Sequence, residues 1–196
     1  MPDTEAPDPF AQFDAWFAEA QRSEPNDANA MTLATCTPEG KPSARIVLLK
    51  GRDPRGFVFY TNTLSRKGAE LAANPQAALL FHWKSLQRQV RIEGAVESVT
   101  TAEADAYYAS RPRLSRLGAW ASLQSQALPA RAVLEQRLAE AEQRYPGEEI
   151  PRPAHWSGYR VLPARFEFWQ DMPFRLHDRT IYIKDGNGWG VSKLFP

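Results

Sequence analysis

The spacing of apolar residues changes period repeatedly along this chain, and each change marks an element. Asp8 and Pro9 suit an N-cap and a first helical position. Phe10, Phe13, Phe17 and Ala20 follow at helical intervals, predicting an amphipathic helix that ends near Ser23. Short β-type runs over residues 31–36, 43–49 and 57–60 come next, divided by Thr37-Pro38-Glu39-Gly40 and Asp53-Pro54-Arg55-Gly56. They read as an antiparallel meander. Ser65 can cap a short helix reaching about Ala73, which Asn74-Pro75 stops, and an apolar run from Ala77 to Trp83 resumes the sheet. From Gln89 to Glu97 the alternation is strict: Val90, Ile92 and Val96 share one face, and Gln89, Arg91, Glu93 and Glu97 the other.

Thr100 and Glu103 have the spacing of a capping box, opening a helix that must stop near Pro112. Another helix opens at Pro129, carries Leu134, Leu138, Ala141 and Tyr145 on one face, and ends at Pro146-Gly147. Residues 159–162, 166–169 and 180–184 read as strands, and Asp185-Gly186-Asn187-Gly188 turns the chain into a last strand over 189–194. Helices interrupt the strands without alternating regularly with them, which argues against a doubly wound parallel sheet. The expected fold is mainly β with peripheral helices: an antiparallel, closed or split β-barrel. It forms a single domain over residues 1–196, of which 1–7 are expected to be a disordered tail.

Composition narrows the function. A chain of 196 residues, 43% hydrophobic and 24% charged, suits one soluble globular core. Its formal charge, 24 − 23 = +1, gives no global basic field for nucleic acid or an anionic membrane surface. The longest apolar run, residues 77–81, falls far short of the ~18 residues needed to span a bilayer, and the acidic, proline-rich start does not look like a leader. A cytoplasmic protein with neither membrane nor nucleic acid as partner is expected. Cys36, the lone cysteine, cannot form an intrachain disulfide, and its apolar neighbours predict core packing. His82, His155 and His177 lack metal-ligand spacing, so no metal is expected.

The sequence holds no G-x-x-x-x-G-K loop, no G-x-G-x-x-G, no G-x-S-x-G elbow and no H-E-x-x-H helix. Instead, cations and hydroxyls gather at predicted element ends. Arg45 and Lys50 flank a strand, Ser65-Arg66-Lys67 follows Tyr60-Thr61-Asn62, Arg111 precedes Ser115, and Arg175, His177 and Arg179 come last. Singly, such groups are ordinary solvated charges. Ser65-Arg66-Lys67 at a helix start, however, combines free backbone N–H groups, a positive dipole end and two cations, which suits a dianionic phosphate. Arg111-Pro112-Arg113-Leu114-Ser115 offers a second place where a guanidinium and a hydroxyl can converge on an anion. Two phosphate sites imply two phosphorylated ligands.

The strings Arg45-Ile46-Val47-Leu48-Leu49-Lys50, Phe59-Tyr60-Thr61-Asn62, Ser65-Arg66-Lys67-Gly68, Arg88-Gln89-Val90-Arg91, Ser110-Arg111-Pro112, Gly118-Ala119-Trp120, Gln124-Ser125, Glu167-Phe168-Trp169-Gln170 and Arg175-Leu176-His177-Asp178-Arg179 stand in a characteristic order. Together they resemble the pyridoxine/pyridoxamine 5′-phosphate oxidase family, from about Asp8 to Pro196. The resemblance implies an FMN-binding split barrel that works as a homodimer, with two equivalent flavin sites in the subunit interface. It implies that Arg45, Ile46, Val47, Leu48, Lys50, Tyr60, Thr61, Arg66, Lys67, Gln89, Gln124, Ser125, Trp169 and Arg179 line the FMN site, with Arg66 and Lys67 on its phosphate. By the same match Lys50, Tyr107, Arg111 and Ser115 hold the substrate phosphate. Arg175, Leu176 and His177 bind the reacting end of the pyridoxal ring, Arg175 and His177 being the catalytic pair.

The residue pattern agrees at particular points. Gln89 lies on the polar face of its strand, and Tyr107 falls one helical turn before Arg111. Read as a β-type segment, Arg175 and His177 share a face and Leu176 points into the core. The implied activity is oxidation of pyridoxine or pyridoxamine 5′-phosphate to pyridoxal 5′-phosphate, by hydride transfer from C4′ to flavin N5, with O2 reduced to hydrogen peroxide. A non-catalytic carrier of FMN or pyridoxal phosphate has no need of Arg175 and His177. A split-barrel flavoenzyme for another substrate has no need of Tyr107, Arg111 and Ser115.

The chain departs from the family pattern in three places. An N-terminal segment with Arg and Tyr, which often covers the active site, has no counterpart in Met1-Pro2-Asp3-Thr4. Asp171-Met172-Pro173 stands where a glycine usually follows Trp169-Gln170, and Lys193-Leu194-Phe195-Pro196 replaces Arg-Leu-x-Pro, exchanging a bidentate guanidinium for a point charge.

Overall fold

Helix α1 (Pro9–Ser23) starts where the sequence places it, with the Asp8 carboxylate accepting a hydrogen bond from the Phe10 N–H at 3.1 Å. Its buried face reaches the sheet through Phe13, whose ring meets Phe57 and Phe81 edge-on at centroid distances of 4.8 and 5.2 Å. The computed structural model describes residues 8–196, so the tail expected over residues 1–7 lies outside the described residues.

Strands β1 (Ala30–Cys36), β2 (Pro42–Leu48), β3 (Gly51–Asp53) and β4 (Gly56–Asn62) precede α2 (Arg66–Ala73). Strands β5 (Gln76–Trp83) and β6 (Arg88–Ser98) lead into α3 (Thr101–Ser110), α4 (Arg113–Ala121) and α5 (Arg131–Arg144). The chain ends with β7 (Trp156–Gln170), β8 (Asp178–Asp185) and β9 (Gly188–Lys193). Every pairing is antiparallel, in the order β2-β1-β5-β6-β7-β4-β3, and β8 and β9 extend the sheet from β7. The sheet curls into a half-barrel, bringing β2 near β4 without pairing and leaving a seam between them. No helix among the described residues is long and apolar enough to cross a membrane.

The expected meander is corrected. β1 and β2 form a hairpin, but β4 pairs with β3 and with the first half of β7 rather than with β2. Phe57, Val58 and Phe59 are all buried, so β4 needs cover on both faces, which a place inside the sheet provides. β3 was not predicted because Gly-Arg-Asp carries no β signal. α4 was also missed, its buried stripe being only Leu117 and Ala121 behind a proline that caps it. The strands expected at 159–162 and 166–169 are one. Pro163 looks like a break, yet it falls where that edge of β7 passes from β4 to β8 and needs no N–H. Cys36 is half-buried at the end of β1, with Asn74 Nδ2 3.1 Å from its sulfur, rather than packed in the core.

Two features fix the helices against this sheet. Leu117, Ala141 and Ile150 form a small separate core with Trp120, Leu138 and Tyr145, joining α4 to α5. Arg160 on β7, nearly inaccessible, donates to Glu103 at 2.7 Å, Asp53 at 2.9 Å and Glu97 at 3.2 Å. Its hydrogen bond, with those from the Thr100 backbone and hydroxyl, holds the Glu103 carboxyl down at about 2. Glu103 also completes the capping box with Thr100, so one carboxylate anchors the start of α3.

At the bulge between β6 and β7, a Cβ on Gly94 would lie 1.9 Å from the Leu162 carbonyl oxygen. Replacing Gly94 by Ala should therefore cost about 2 kcal/mol in strain and lower Tm by roughly 4–8 °C in calorimetry. Gly147→Ala, where nothing lies within 4 Å, is the control and should leave Tm nearly unchanged. A Gly94→Ala protein as stable as the control would mean that β7 yields at the bulge.

Candidate active site

The seam between β2 and β4 opens into a cavity of about 870 Å³, within the usual size of small-molecule sites. It gathers Arg45, Ile46, Val47, Leu48 and Lys50 from β2 and its end, Tyr60 and Thr61 from β4, and Arg66 and Lys67 from α2. Tyr107, Arg111 and Ser115 enter from the α3–α4 junction, and Gln124 and Ser125 from the loop after α4. Five cations (Arg45, Lys50, Arg66, Lys67, Arg111) line it, and among the described residues no carboxylate does.

The start of α2 is built by close approach. Ser65 caps the helix, accepting from the Gly68 N–H and donating to the Asn62 carbonyl at 2.7 Å. A Cβ at Gly68 would stand 2.1 Å from the Thr63 carbonyl oxygen, so only glycine lets the preceding loop fold so tightly onto the helix. Lys67 is buried, its Nζ donating to Gln124 Oε1 at 3.0 Å and to Thr61 and Ser65 hydroxyls at 3.2 Å. Burial, helped by the charge of Arg45, pulls its pKa below the ordinary lysine value. Arg45 donates to Thr35 Oγ1 at 2.5 Å, to the Leu33 carbonyl at 3.3 Å and to the Ser43 hydroxyl.

The opposite wall is aromatic. Tyr60, Tyr107 and Trp156 form a cluster of near-parallel rings, at centroid distances of 4.1 Å (Tyr60–Tyr107), 5.4 Å (Tyr60–Trp156) and 6.0 Å (Tyr107–Trp156). The Arg111 guanidinium sits 4.7 Å from the Trp156 ring centre, and its Nη1 is buried without an acceptor among the described residues. Burial lowers its pKa from the ordinary arginine value. A buried guanidinium N–H left over beside a cation-lined cavity is chemically suited to an anionic ligand.

The remaining expected residues stand elsewhere in the chain. Gln89, Trp169 and Arg179 line a separate cleft of about 220 Å³, where Glu167 accepts from Arg179 Nε at 2.8 Å and from Arg91. Arg175, Leu176 and His177 line neither the large cavity nor this cleft. The β-type reading of that segment is corrected. Pro173–Arg175 form a 3-10 turn in which Phe174 and Arg175 have φ of +60° and +62°, and β8 begins only at Asp178. Leu176 accordingly points outward and is 67% exposed instead of entering the core. His177 packs against Trp169 at 4.6 Å between ring centres, with Nδ1 2.9 Å from Asp171 Oδ1. Lys193 reaches both Asp178 carboxylate oxygens, at 2.5 and 2.7 Å.

Two residues that shape the cavity escaped the sequence reading. Glu70, four residues after Arg66, accepts from Arg66 Nε at 2.9 Å, and that helical spacing was the available signal. Trp156 gave no signal, since its distance in sequence from Arg111 encodes nothing.

The chain matches the family model described as pyridoxamine 5′-phosphate oxidase over residues 17–145. It also matches the pyridoxine 5′-phosphate oxidase C-terminal dimerisation region over residues 156–196. It is 64% identical over 189 residues to the pyridoxine/pyridoxamine 5′-phosphate oxidase of Gluconobacter oxydans, covering 96% of this chain and 94% of that protein. It is 59% identical over 201 residues to the Rhodospirillum rubrum protein of the same name, covering 100% of both. Among solved structures it resembles PhzG from Burkholderia lata in complex with tetrahydrophenazine-1-carboxylic acid. The TM-score is 0.91 at 33% identity, over 100% of this chain and 97% of that one. An FMN-binding, pyridoxamine 5′-phosphate oxidase-related protein from Nostoc punctiforme shares the fold, with TM-score 0.77 at 17% identity over 97% and 100% of the two chains.

Proposed function

The chain belongs to the pyridoxine/pyridoxamine 5′-phosphate oxidase family, and on that footing we propose that it oxidises pyridoxine or pyridoxamine 5′-phosphate to pyridoxal 5′-phosphate as an FMN-dependent homodimer. The observation that carries this reading is the cavity bordered, among the described residues, by five cations and no carboxylate, with two separate places for an anion. Arg66 and Lys67 at the capped start of α2 receive the FMN phosphate, and Gln124, held by Lys67, meets the rest of the flavin nucleotide. Arg111, laid on Trp156, receives the substrate phosphate with Lys50, Tyr107 and Ser115.

FMN held by Arg66, Lys67 and Gln124 would supply a two-electron acceptor, with O2 as the final oxidant. The protein's own part is to bind, orient and exclude water. Gln89, Trp169, Arg175, His177 and Arg179 then complete the site from a second copy of the chain. Three features support this: their place outside the cavity, the match of residues 156–196 to a dimerisation region, and the exposed Phe174 (93%) and Phe195 (94%) beside them. A cytoplasmic setting belongs to the same proposal.

The likeness to PhzG favours a second reading, an oxidase for a carboxylic acid that bears no phosphate. The presence of Tyr107, Arg111 and Ser115, and identities of 59–64% to the pyridoxine/pyridoxamine 5′-phosphate oxidases against 33% to PhzG, weigh against it. Incubation with pyridoxamine 5′-phosphate in air should yield pyridoxal 5′-phosphate and peroxide in equal amounts. No product under saturating FMN would reject the proposal.

Three further outcomes are expected. Replacing Arg66 by Ala and Lys67 by Met, which keeps a buried apolar stem, should weaken FMN binding more than about a hundredfold, since each charge-assisted hydrogen bond contributes ~1.5–3 kcal/mol. Unchanged affinity would remove both residues from the phosphate. Unphosphorylated pyridoxine should have a kcat/KM at least about a hundredfold below that of its phosphate, because a remote anchor positions the reacting carbon. Similar values for the two would discount Arg111 as that anchor. Arg175→Leu and His177→Ala should each leave FMN bound and the dimer intact while lowering kcat/KM at least tenfold, or ~1.4 kcal/mol. Flavin loss or dissociation in these variants would assign the pair to the fold instead.

A further inference from the structure

Glu70 lies behind the cationic wall without lining the cavity, and its side chain is 5% exposed. Its Oε2 accepts from Thr35 Oγ1 at 2.5 Å, Ser43 Oγ at 2.6 Å and Arg45 Nη2 at 3.3 Å. Its Oε1 accepts from Arg66 Nε at 2.9 Å. Burial opposes its ionisation, but the Ser43 and Thr35 hydroxyls and the Arg66 guanidinium prevail and bring the carboxyl down to about 2. A single ionised group on α2 thus joins β1 and β2 to two cavity cations from different elements.

We propose that Glu70 is the positioning residue of the phosphate site, fixing Arg45 and Arg66 so that the cluster selects a phosphate monoester dianion. The inference rests on the placement of the FMN phosphate at the start of α2. Arg45, Arg66 and Lys67 carry three positive charges and Glu70 one negative, leaving +2 against the −2 of the dianion. Glu70 takes the Nε of Arg66, whose Nη groups make no hydrogen bond among the described residues, so the outer fork stays available to a ligand. Arg66 is 61% exposed and, among the described residues, has no other partner to hold its long side chain. Removing the carboxylate adds net positive charge, but it also unties Arg45, Arg66, Thr35 and Ser43 together. Loss of orientation outweighs the added charge.

The test compares FMN with riboflavin, which lacks the phosphate, by fluorescence titration of the full-length protein freed of flavin. Glu70→Gln should weaken FMN at least tenfold and riboflavin less than twofold. FMN affinity unchanged or tighter, or equal losses for both flavins, would overturn the role. Arg66→Lys, at an exposed position that does not endanger folding, should also lose FMN selectively. Adding Glu70→Gln to it should then cost less than it costs the unaltered protein, and additive losses would count against the proposal. Should Glu70→Gln not fold, absence of a selective loss in Arg66→Lys overturns the role by itself. If the unaltered protein binds the two flavins equally, the placement of the phosphate fails as well. A preference for FMN that survives Glu70→Gln rejects Glu70 alone.

Discussion

Strand β7 sets the distances on which everything else depends. Its fifteen residues pair along one edge with β6 and along the other with β4 and then β8. Trp156 at its start supports Arg111 at the large cavity, while Trp169 near its end lines the small cleft. Thirteen steps of about 3.3 Å separate them by roughly 40 Å along a hydrogen-bonded ladder that cannot fold back on itself. Trp156 and Trp169 therefore do not meet around one small ligand within a single copy of β7. In the proposed function a second copy presents Trp169 and its neighbours to the cavity that Trp156 lines.

The same economy governs the charges. In two places the fold puts a shielded carboxylate behind a pair of arginines: Glu70 behind Arg45 and Arg66, Glu167 behind Arg91 and Arg179. Burying a carboxylate costs several kcal/mol unless each oxygen is satisfied, and both are. Arg160 inverts the arrangement, a buried cation facing Asp53, Glu97 and Glu103. Its contribution is to seat α3, whose other end delivers Tyr107 and Arg111 to the cavity. The ion pairs here act chiefly as geometry: Arg66, held at Nε, keeps its outer fork free of acceptors among the described residues, whereas Arg45 and Arg160 spend their Nη groups on protein acceptors.

What could be read from sequence follows the range of the interaction involved. Local signals survived intact: the Asp8 and Ser65 caps, the capping box of Thr100 and Glu103, and the turn into β9 all depend on residues within four positions. Pairings across the chain did not, because nothing in residues 57–60 says whether their partner is β2 or β7. The cavity residues were legible as cations and hydroxyls at element ends, and the family resemblance supplied their grouping. Glu70 and Trp156 were not, since a residue that acts through another carries no motif of its own. Pro163 misled for a related reason: a missing N–H ends a strand only where a partner needs it.

The segment Asp171–His177 shows where this chain departs from its family's pattern in a way that bears on mechanism. Two consecutive non-glycine residues, Phe174 and Arg175, hold left-handed backbone, at a cost of about 1–3 kcal/mol each. No core contact compensates them, because Phe174 and Leu176 face outward. In the monomer the turn is therefore strained and apolar at its surface, and a second subunit docking on it would relieve the second defect while fixing the first. Asp171 works in the same direction from within the chain. Its carboxylate beside His177 Nδ1, together with Trp169 against the ring, holds the imidazole while Arg175 stays free to solvent. One member of the expected pair is thus oriented by its own chain, and in the proposed dimer the other gains its surroundings from the partner.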